Sequence, residues 1–333
     1  MKLSEAILDV LEKHQGEDVS GGTLADLMGV SRTSVWKAVE ELRNEGYEID
    51  ATTNRGYRLT GAYDRLRDTA IRAHLPELLR SRPMYVYDFV ESTNQSVRFL
   101  ALEGAPDGTV GIADAQSAGR GRNGRAFYSP ERTGIYMSVL IRDKQMGADA
   151  VSITTAAAVA VARAIESVTG VSVKIKWIND LYLNGRKICG ILTDGAINME
   201  NGQFEYAIVG IGLNVHAARD EFPPKLREIA GSICTETGLH PDRNALVAAI
   251  LRELEDVRRD PVKSQYMDEY RARSCVLGRR IRVYGCGCDG DEAVAERIDD
   301  DGRLIVRLDA GREVLLNSGE ISIRPADANG FGK

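Results

Sequence analysis

Apolar residues recur at helical spacing from the start of the chain. Ile7, Leu8 and Leu11 form one stripe, Leu24, Leu27 and Met28 a second, and Val35, Ala38, Val39 and Leu42 a third. Gly29 supplies a turn before the third stripe, Ser31 is a suitable N-cap for it, and Gly46 ends it. Two short strand-like runs follow, Tyr47 to Thr52 and Tyr57 to Thr60, joined through Thr53-Asn-Arg-Gly56. Three helices and a β-hairpin in this order predict a winged helix-turn-helix, assigned to residues 1–62.

Residues 63–83 read as a linker with a short helix. The pattern then mixes strands and helices over residues 84–270. Met84 to Val90, Thr109 to Gln116 and Gly134 to Arg142 alternate as strands, and Val151 to Thr169 is a long apolar helix. Val171 to Trp177, Leu181 to Leu183 and Arg186 to Thr193 are strands again, the last two joined by Asn184-Gly185, a type I′ hairpin signal. Asn201-Gly202 marks another hairpin before Phe204 to Ile211, and Asn244 to Arg259 is an amphipathic helix stopped by Pro261. The fold class is α+β: a mixed sheet covered by helices on one side, not a doubly wound parallel sheet. Over residues 271–328 the strands become short and regular: Arg280 to Tyr284, Ala293 to Ile298, Arg303 to Leu308, Glu313 to Leu316 and Ile321 to Arg324. Such spacing predicts a small five-stranded barrel.

Composition narrows the class. The 333 residues are 43% hydrophobic and 28% charged, the balance of a soluble globular protein of two or three domains. The net charge of −6 argues against a general polyanion binder. Five cysteines without a CxxC argue against a disulfide framework. Cys286 and Cys288 lack two further nearby ligands for zinc. No signal peptide is visible, and Arg163 and Glu166 mark the most apolar helix as buried and not membrane-spanning. A cytoplasmic protein with no membrane partner is expected.

In the third helix Arg32, Thr33, Trp36 and Lys37 face outward, where they would enter a major groove, and Arg55 and Arg58 on the wing would meet phosphates. Residues 1–60 carry seven basic against eleven acidic side chains, so charge alone does not favour DNA. A helical docking or dimerisation module is the alternative. The placement of the basic residues on turn, third helix and wing favours DNA.

The densest chemistry lies in Gln116-Ser-Ala-Gly-Arg-Gly-Arg-Asn-Gly-Arg125. Its formal GxGxxG is not followed by a helix, because Phe127-Tyr-Ser-Pro130 interrupts one, so a dinucleotide loop is excluded. Arg120, Arg122 and Arg125 within seven residues, spaced by glycines, suit a flexible loop that encloses a small anion. Asn179 and Asp180 end one strand and Lys187 starts the return strand beside them. Glu91-Ser-Thr-Asn94 follows a strand, as a neutral polar reader or as a helix cap. Val209-Gly-Ile-Gly-Leu-Asn-Val215 carries small residues against which a ligand can lie.

Together Glu91-Ser-Thr-Asn94, Gly119-Arg-Gly-Arg122 with Gly124-Arg125, Lys176-Trp-x-Asn-Asp180, Arg186-Lys-x-x-Gly-Ile-Leu192 and Gly210-x-Gly-x-Asn214 resemble, in order, the motifs of the biotin–protein ligases. The N-terminal winged helix and the C-terminal barrel resemble the longer subclass that doubles as biotin-operon repressors. Phe127 stands where that family often has Trp. The resemblance implies a biotin/lipoate-ligase central sheet, an SH3-like barrel, and a reaction using ATP, Mg²⁺ and biotin. It implies that Ser92, Thr93, Asn94, Gln116, Arg120, Gly121, Arg122, Phe127, Lys187 and Gly190 serve biotin. Arg122, Arg125, Trp177, Asn179, Asp180, Asn214 and Arg324 would serve ATP. Lys187, Arg120 and Arg122 would be catalytic, with magnesium carried on the substrate phosphates. The implied partners are a biotin carboxyl carrier domain, operator DNA of biotin genes, and a second copy of the chain when the adenylate is bound. A lipoate ligase, or a biotin sensor without ligase activity, are the alternatives.

Overall fold

The computed structural model describes residues 2–14, 16–44, 46–52, 55–60, 64–142, 150–197, 204–259, 263–284, 290–317 and 322–325. The chain divides into two compact units, Met1–Arg65 and Leu66–Lys333.

In the first unit α1 (Leu3–Lys13), α2 (Gly21–Met28) and α3 (Arg32–Asn44) precede the hairpin of β1 (Ile49–Thr52) and β2 (Gly56–Leu59). Ile7, Leu8, Leu11, Leu24, Val35, Val39 and Leu42 form its core. Ser31 caps α3 as the sequence predicts, its Oγ accepting from the Ser34 amide at 3.1 Å. Two expectations change. Leu27 is 63% exposed, so α2 buries Leu24 and Ala25 instead. Tyr47 precedes the strand: its amide donates to Leu42 O, closing α3, and its ring enters the core. Residues Thr53 and Asn54 of the expected wing turn lie outside the described residues. The wing is tied to the segment before α2 by a reciprocal amide pair between Val19 and Tyr57.

The second unit starts with α4 (Asp68–His74) and a 3-10 turn (Glu77–Leu79). Read as part of a linker from sequence, this segment buries Leu66, Ile71, Leu75 and Leu79 in the main core. The large sheet comprises β3 (Met84–Val90), β4 (Val110–Gln116), β5 (Gly134–Ile141), β6 (Lys174–Lys176), β7 (Asp180–Leu183), β8 (Arg186–Ile197) and β9 (Phe204–Asn214). Their order is β3-β4-β5-β9-β8-β7-β6, with β3 and β4 parallel and every other pair antiparallel. The Asn184-Gly185 turn has positive φ at both residues, 48° and 83°, as type I′ requires. The strand expected over Val171 to Trp177 shrinks to three residues. Asn201-Gly202, Pro261, Cys286 and Cys288 lie outside the described residues.

Helices α6 (Ala150–Thr169), α8 (Arg243–Arg259) and α9 (Lys263–Arg273) contribute to the main core with one face of the sheet. Helix α6 is long and apolar enough to cross a membrane, but its length is buried in that core. Helix α9 and the short α7 (Ile233–Thr237) carry too little apolar periodicity to be read from sequence. The expectation of helices on one side only is corrected by α5 (Thr93–Leu102). Its Val97 and Ala101 pack with Leu140, Tyr206 and Ile208. Those strand residues alternate with Val139, Ile141, Ala207 and Val209 of the main core, so α5 lies on the opposite face.

Strands β10 (Arg280–Tyr284), β11 (Asp291–Ile298), β12 (Leu304–Leu308), β13 (Glu313–Leu316) and β14 (Ser322–Pro325) form a five-stranded antiparallel sheet in the order β13-β12-β11-β10-β14. Ile281, Val283, Ala293, Ala295 and Val306 join the main core, so this sheet shares its hydrophobic interior with the larger one.

Gly56 yields a test of the first unit. Its φ is +114°, and a Cβ there would lie 2.1 Å from Val19 O. Gly56→Ala should destabilise the unit by about 2 kcal/mol or more. Hydrogen exchange at the Val19 and Tyr57 amides reads this out, and wild-type protection would refute it.

Candidate functional site

On β9 the residues facing the main core are Val209, Ile211 and Leu213. The alternate positions, toward α5, are Ile208, Gly210, Gly212 and Asn214. Two glycines thus remove side chains from the middle of that face. The space they leave is filled from above. A Cβ on Gly210 would lie 2.1 Å from Asn94 Oδ1, and one on Gly212 would lie 2.6 Å from the Phe127 ring. Gly190, opposite Gly212 on β8, has Lys187 Nζ 3.1 Å and the Phe127 ring 3.5 Å from its ideal Cβ. These glycines floor a cavity of about 940 Å³.

One end of the cavity is neutral and polar. Ser92 occupies the N-cap position of α5, but its hydroxyl caps nothing and makes no hydrogen bond with the described residues. It is buried and lines the cavity. Gln116 Oε1 accepts from the Thr93 amide at 2.9 Å and from the Thr93 hydroxyl at 3.2 Å. That fixes the Gln116 amide, whose Nε2 donates to Ser129 Oγ at 3.0 Å and keeps one N–H to spare. Ser138 Oγ lies 2.7 Å from both Thr93 Oγ1 and Asn94 Oδ1. This end offers hydroxyls, an amide donor and a carbonyl acceptor, with no charge among them.

The other end is cationic. Residues 119–127 form a narrow loop: Phe127 N donates to Gly119 O at 2.8 Å and Gly121 N to Arg125 O at 2.7 Å. Its tip is a single 3-10 turn at Arg122–Gly124, with Asn123 at φ 57°. No helix follows, as the sequence indicated. With the Gln95 amide oriented to suit both neighbours, it accepts from Arg120 Nη2 at 2.9 Å and donates to Glu91. Arg122 Nη1 donates to Asn179 Oδ1 at 3.2 Å, and Asn179 Nδ2 donates to Ile191 O at 2.7 Å. Burial pushes the Arg122 guanidinium below its usual range, Asp180 opposes this, and Arg125 adds to it. Lys187 Nζ lies 2.6 Å from Asp180 Oδ1, a close ion pair that lacks the direction of a hydrogen bond. Lys176, 5.9 Å above the Tyr182 ring, is likewise held below the usual lysine range by burial. Five cationic side chains line the cavity against two carboxylates, Asp180 and Glu228, so it is built to receive an anion.

A third wall comes from residues 222–230. Lys187 N donates to Ile229 O at 2.8 Å, and Gly231 N to Lys187 O at 3.0 Å. Arg186 Nη1 donates to Arg227 O at 2.5 Å, and Asn214 Nδ2 to Gly231 O at 3.0 Å. Phe222, Leu226 and Ile229 give this wall apolar surface. The Trp177 indole N–H turns away from the cavity and donates to Gly302 O, 2.9 Å away on the β11–β12 turn.

Ser92, Thr93, Asn94, Gln116, Arg120, Gly121, Arg122, Arg125, Phe127, Trp177, Asn179, Asp180, Lys187, Gly190 and Asn214 therefore line one cavity. The backbone of Arg324 sits opposite Arg282 in the C-terminal sheet, and its side chain lies outside what the structure describes. Sequence reasoning missed Lys176, Tyr182 and the 222–230 wall as site elements. Lys176 stood inside a motif already singled out. Tyr182 shared the alternation of β7 with Asp180. The wall carries no periodic signal.

In the first unit Trp36 is half exposed on α3. The Arg32 guanidinium packs over Gly22. Arg58 is engaged by Asp18 in a forked pair, Nε to Oδ1 at 3.0 Å and Nη2 to Oδ2 at 2.7 Å, with Arg55 4.0 Å from the same carboxylate. That pair holds the Asp18 carboxyl below the usual range.

Gly210→Ala should cost roughly 1–3 kcal/mol, because Asn94 must leave its place. Chemical denaturation measures this. Unchanged stability would show that Asn94 is not held against Gly210.

Comparison with known proteins identifies the relatives of this chain. A model of the biotin/lipoate A/B protein ligase family matches residues 86–214, one of an HTH domain matches residues 4–58, and one of the biotin protein ligase C terminal domain matches residues 276–324. The bifunctional ligase/repressor BirA of Bacillus subtilis is 37% identical over 95% of this chain and 97% of its own length. BirA of Bacillus spizizenii is 38% identical over the same shares. The biotin–[acetyl-CoA-carboxylase] ligase of Mycobacterium tuberculosis is 34% identical over 69% of this chain and 85% of its own. Among solved structures, the biotin protein ligase of Aquifex aeolicus in complex with biotin and ATP superposes with a TM-score of 0.63, covering 73% of this chain and 99% of that one at 24% identity. By near-full-length identity and by the match to its central and C-terminal domain models, this chain belongs to the biotin protein ligase family.

Proposed function

We propose that the chain activates biotin with ATP and transfers the biotinyl group to a specific lysine of a biotin carboxyl carrier domain. The observation that carries this reading is the division of one cavity into a neutral polar end and a cationic end over a glycine floor. Biotin has a neutral ring urea at one end and a carboxylate at the other. Ser92 and Gln116 would donate to the urea oxygen, and Thr93 and Asn94 would accept from its N–H groups. Phe127 and the glycines would hold the apolar middle.

The carboxylate then falls among the cations. In the first step a biotin carboxylate oxygen bonds to the α-phosphorus of ATP, and the bond to pyrophosphate breaks. In the second, the acceptor lysine amine attacks the acyl carbon, AMP leaves, and the nitrogen loses a proton. Neither step uses a nucleophile of the protein. Bringing a carboxylate against a polyphosphate requires offsetting charge, which Arg120, Arg122, Arg125, Lys176 and Lys187 would supply. Asp180 would hold Lys187 in place, and Asn179 would hold Arg122. Trp177, Asn214 and the 222–230 wall would take the nucleotide. Among the described residues no three His, Cys, Asp or Glu side chains converge. Asp180 is already paired, which suits a Mg²⁺ ion carried on the ATP phosphates. A lipoate ligase would need no urea reader, and the match to a biotin protein ligase C-terminal domain favours biotin.

We further propose that the C-terminal sheet closes as an SH3-like barrel from which Arg324 reaches the nucleotide. The first unit would bind operator DNA of biotin genes through Arg32, Thr33, Trp36 and Lys37, with Arg55 and Arg58 on phosphates. Biotinyl-5′-AMP would act as corepressor by favouring a homodimer on a two-fold operator. These roles suit a cytoplasmic enzyme.

Pyrophosphate release with biotin, then with lipoate, tests the enzyme. Release with lipoate alone, or with neither, would sink the ligase reading. Retardation of a biotin-operon promoter fragment in the presence of adenylate tests the repressor, and no shift at high protein would remove it. Arg122→Gly should release biotinyl-AMP at least tenfold faster, since the loop loses its tie to Asn179. Wild-type retention of the adenylate would count against a closing role for Arg122.

A further inference from the structure

Asn94 lies at the neutral end, and its side-chain amide can present either a carbonyl or N–H groups to a ligand. Which one it presents depends on its neighbours. Ser138 Oγ, 2.7 Å from Asn94 Oδ1, is a hydroxyl that can donate or accept and so tolerates both orientations. Leu192 O is an acceptor, but at 3.5 Å from Nδ2 it is too distant to decide. The remaining neighbour is Asp194 Oδ2, 2.9 Å from Asn94 Nδ2. An ionised carboxylate only accepts. It attracts the amide N–H and repels the amide oxygen.

Asp194 is not part of the cavity wall. It sits on β8 opposite Ile208, on the sheet face that carries Gly210 and Gly212. Arg98 of α5 reaches the same oxygen, Nη2 to Oδ2 at 3.4 Å. One carboxylate oxygen therefore meets both an arginine and the Asn94 amide, outside the cavity lining.

We propose that Asp194 is a positioning residue that fixes the Asn94 amide with its oxygen toward Ser138 and the cavity, and so makes this end selective for a ligand that offers N–H groups. The proposal rests on the reading of the cavity as a biotin site. In that reading a biotin urea N–H meets an acceptor at Asn94. A flipped amide would present a donor to that N–H and repel it.

The test uses the full chain and steady-state pyrophosphate release. The wild type is measured first: if it turns over no biotin, the functional reading fails, whatever Asp194 does. Asp194→Leu removes the acceptor at similar volume. It should raise KM for biotin roughly tenfold, the size of one lost polar contact, and leave KM for ATP within about twofold. In an Asn94→Ala background the same substitution should have almost no further effect on KM for biotin, because Asp194 acts through Asn94. Asp194→Asn keeps shape and fold but can accept or donate, so it should raise KM for biotin by a smaller factor. An unchanged KM in Asp194→Asn and Asp194→Leu overturns the proposal. So does an equal rise in the Asn94→Ala background, or a parallel rise in KM for ATP.

Discussion

The structure of the site depends on one steric constraint: side chains of a strand alternate between its two faces, and β9 spends its cavity-facing positions on glycine. Val209, Ile211 and Leu213 anchor one face in the main core, while Gly210 and Gly212 leave the other bare. A strand weakened by glycines needs support. Here it comes from position, since β9 lies inside the sheet and is hydrogen-bonded to β5 along one edge and β8 along the other. Removing the two side chains costs packing on one face only. It brings Asn94 and Phe127 down onto the backbone and fixes the depth of the cavity.

The cationic end poses the opposite problem. Arg122 and Lys176 are partly desolvated, and burial works against their charge. One carboxylate, Asp180, opposes both shifts and is already paired with Lys187. The balance remains positive, so an incoming polyanion supplies charge that the protein lacks. The loop that carries three of the site's cations has a single 3-10 turn at its tip, so they are held on a short span of backbone. The hydrogen bond from Trp177 to Gly302 joins this end to the C-terminal sheet. Gly302 has φ +77° and no room for a Cβ beside Val151, so the turn that receives the indole is set by the packing of α6.

Much of this was legible in the sequence because it is local. The Asn184-Gly185 hairpin, the Ser31 cap and the small residues of Val209 to Val215 are each decided within a few residues. Failures came where a distant partner decides. Leu27 fits the apolar stripe of α2, yet the fold leaves it outside. The segment from Leu66 to Leu79 has no strong period of its own, yet it contributes four residues to the core. α5 goes to the second face of the sheet because Val97 and Ala101 meet Leu140, Tyr206 and Ile208, a contact no window of sequence contains. Arg58 reads as an open phosphate contact until Asp18, forty residues earlier, is found against it.

Two aspartates show how a pocket can owe its selectivity to groups that need not contact the ligand. Asp180 stands beside Lys187 at the cationic end, and Asp194 stands behind Asn94 at the neutral end. Asp180 holds a lysine that can only donate, whereas Asp194 faces an amide that can turn either end to it. A hydroxyl in place of Asp194 would leave the Asn94 amide free to turn, and that end of the pocket would keep its shape while losing its pattern of donors and acceptors. Shape comes from glycines and aromatic rings, and polarity from the cations and amides that the two carboxylates adjoin. Because these are separate residues, the two properties can vary independently among chains that share this sheet.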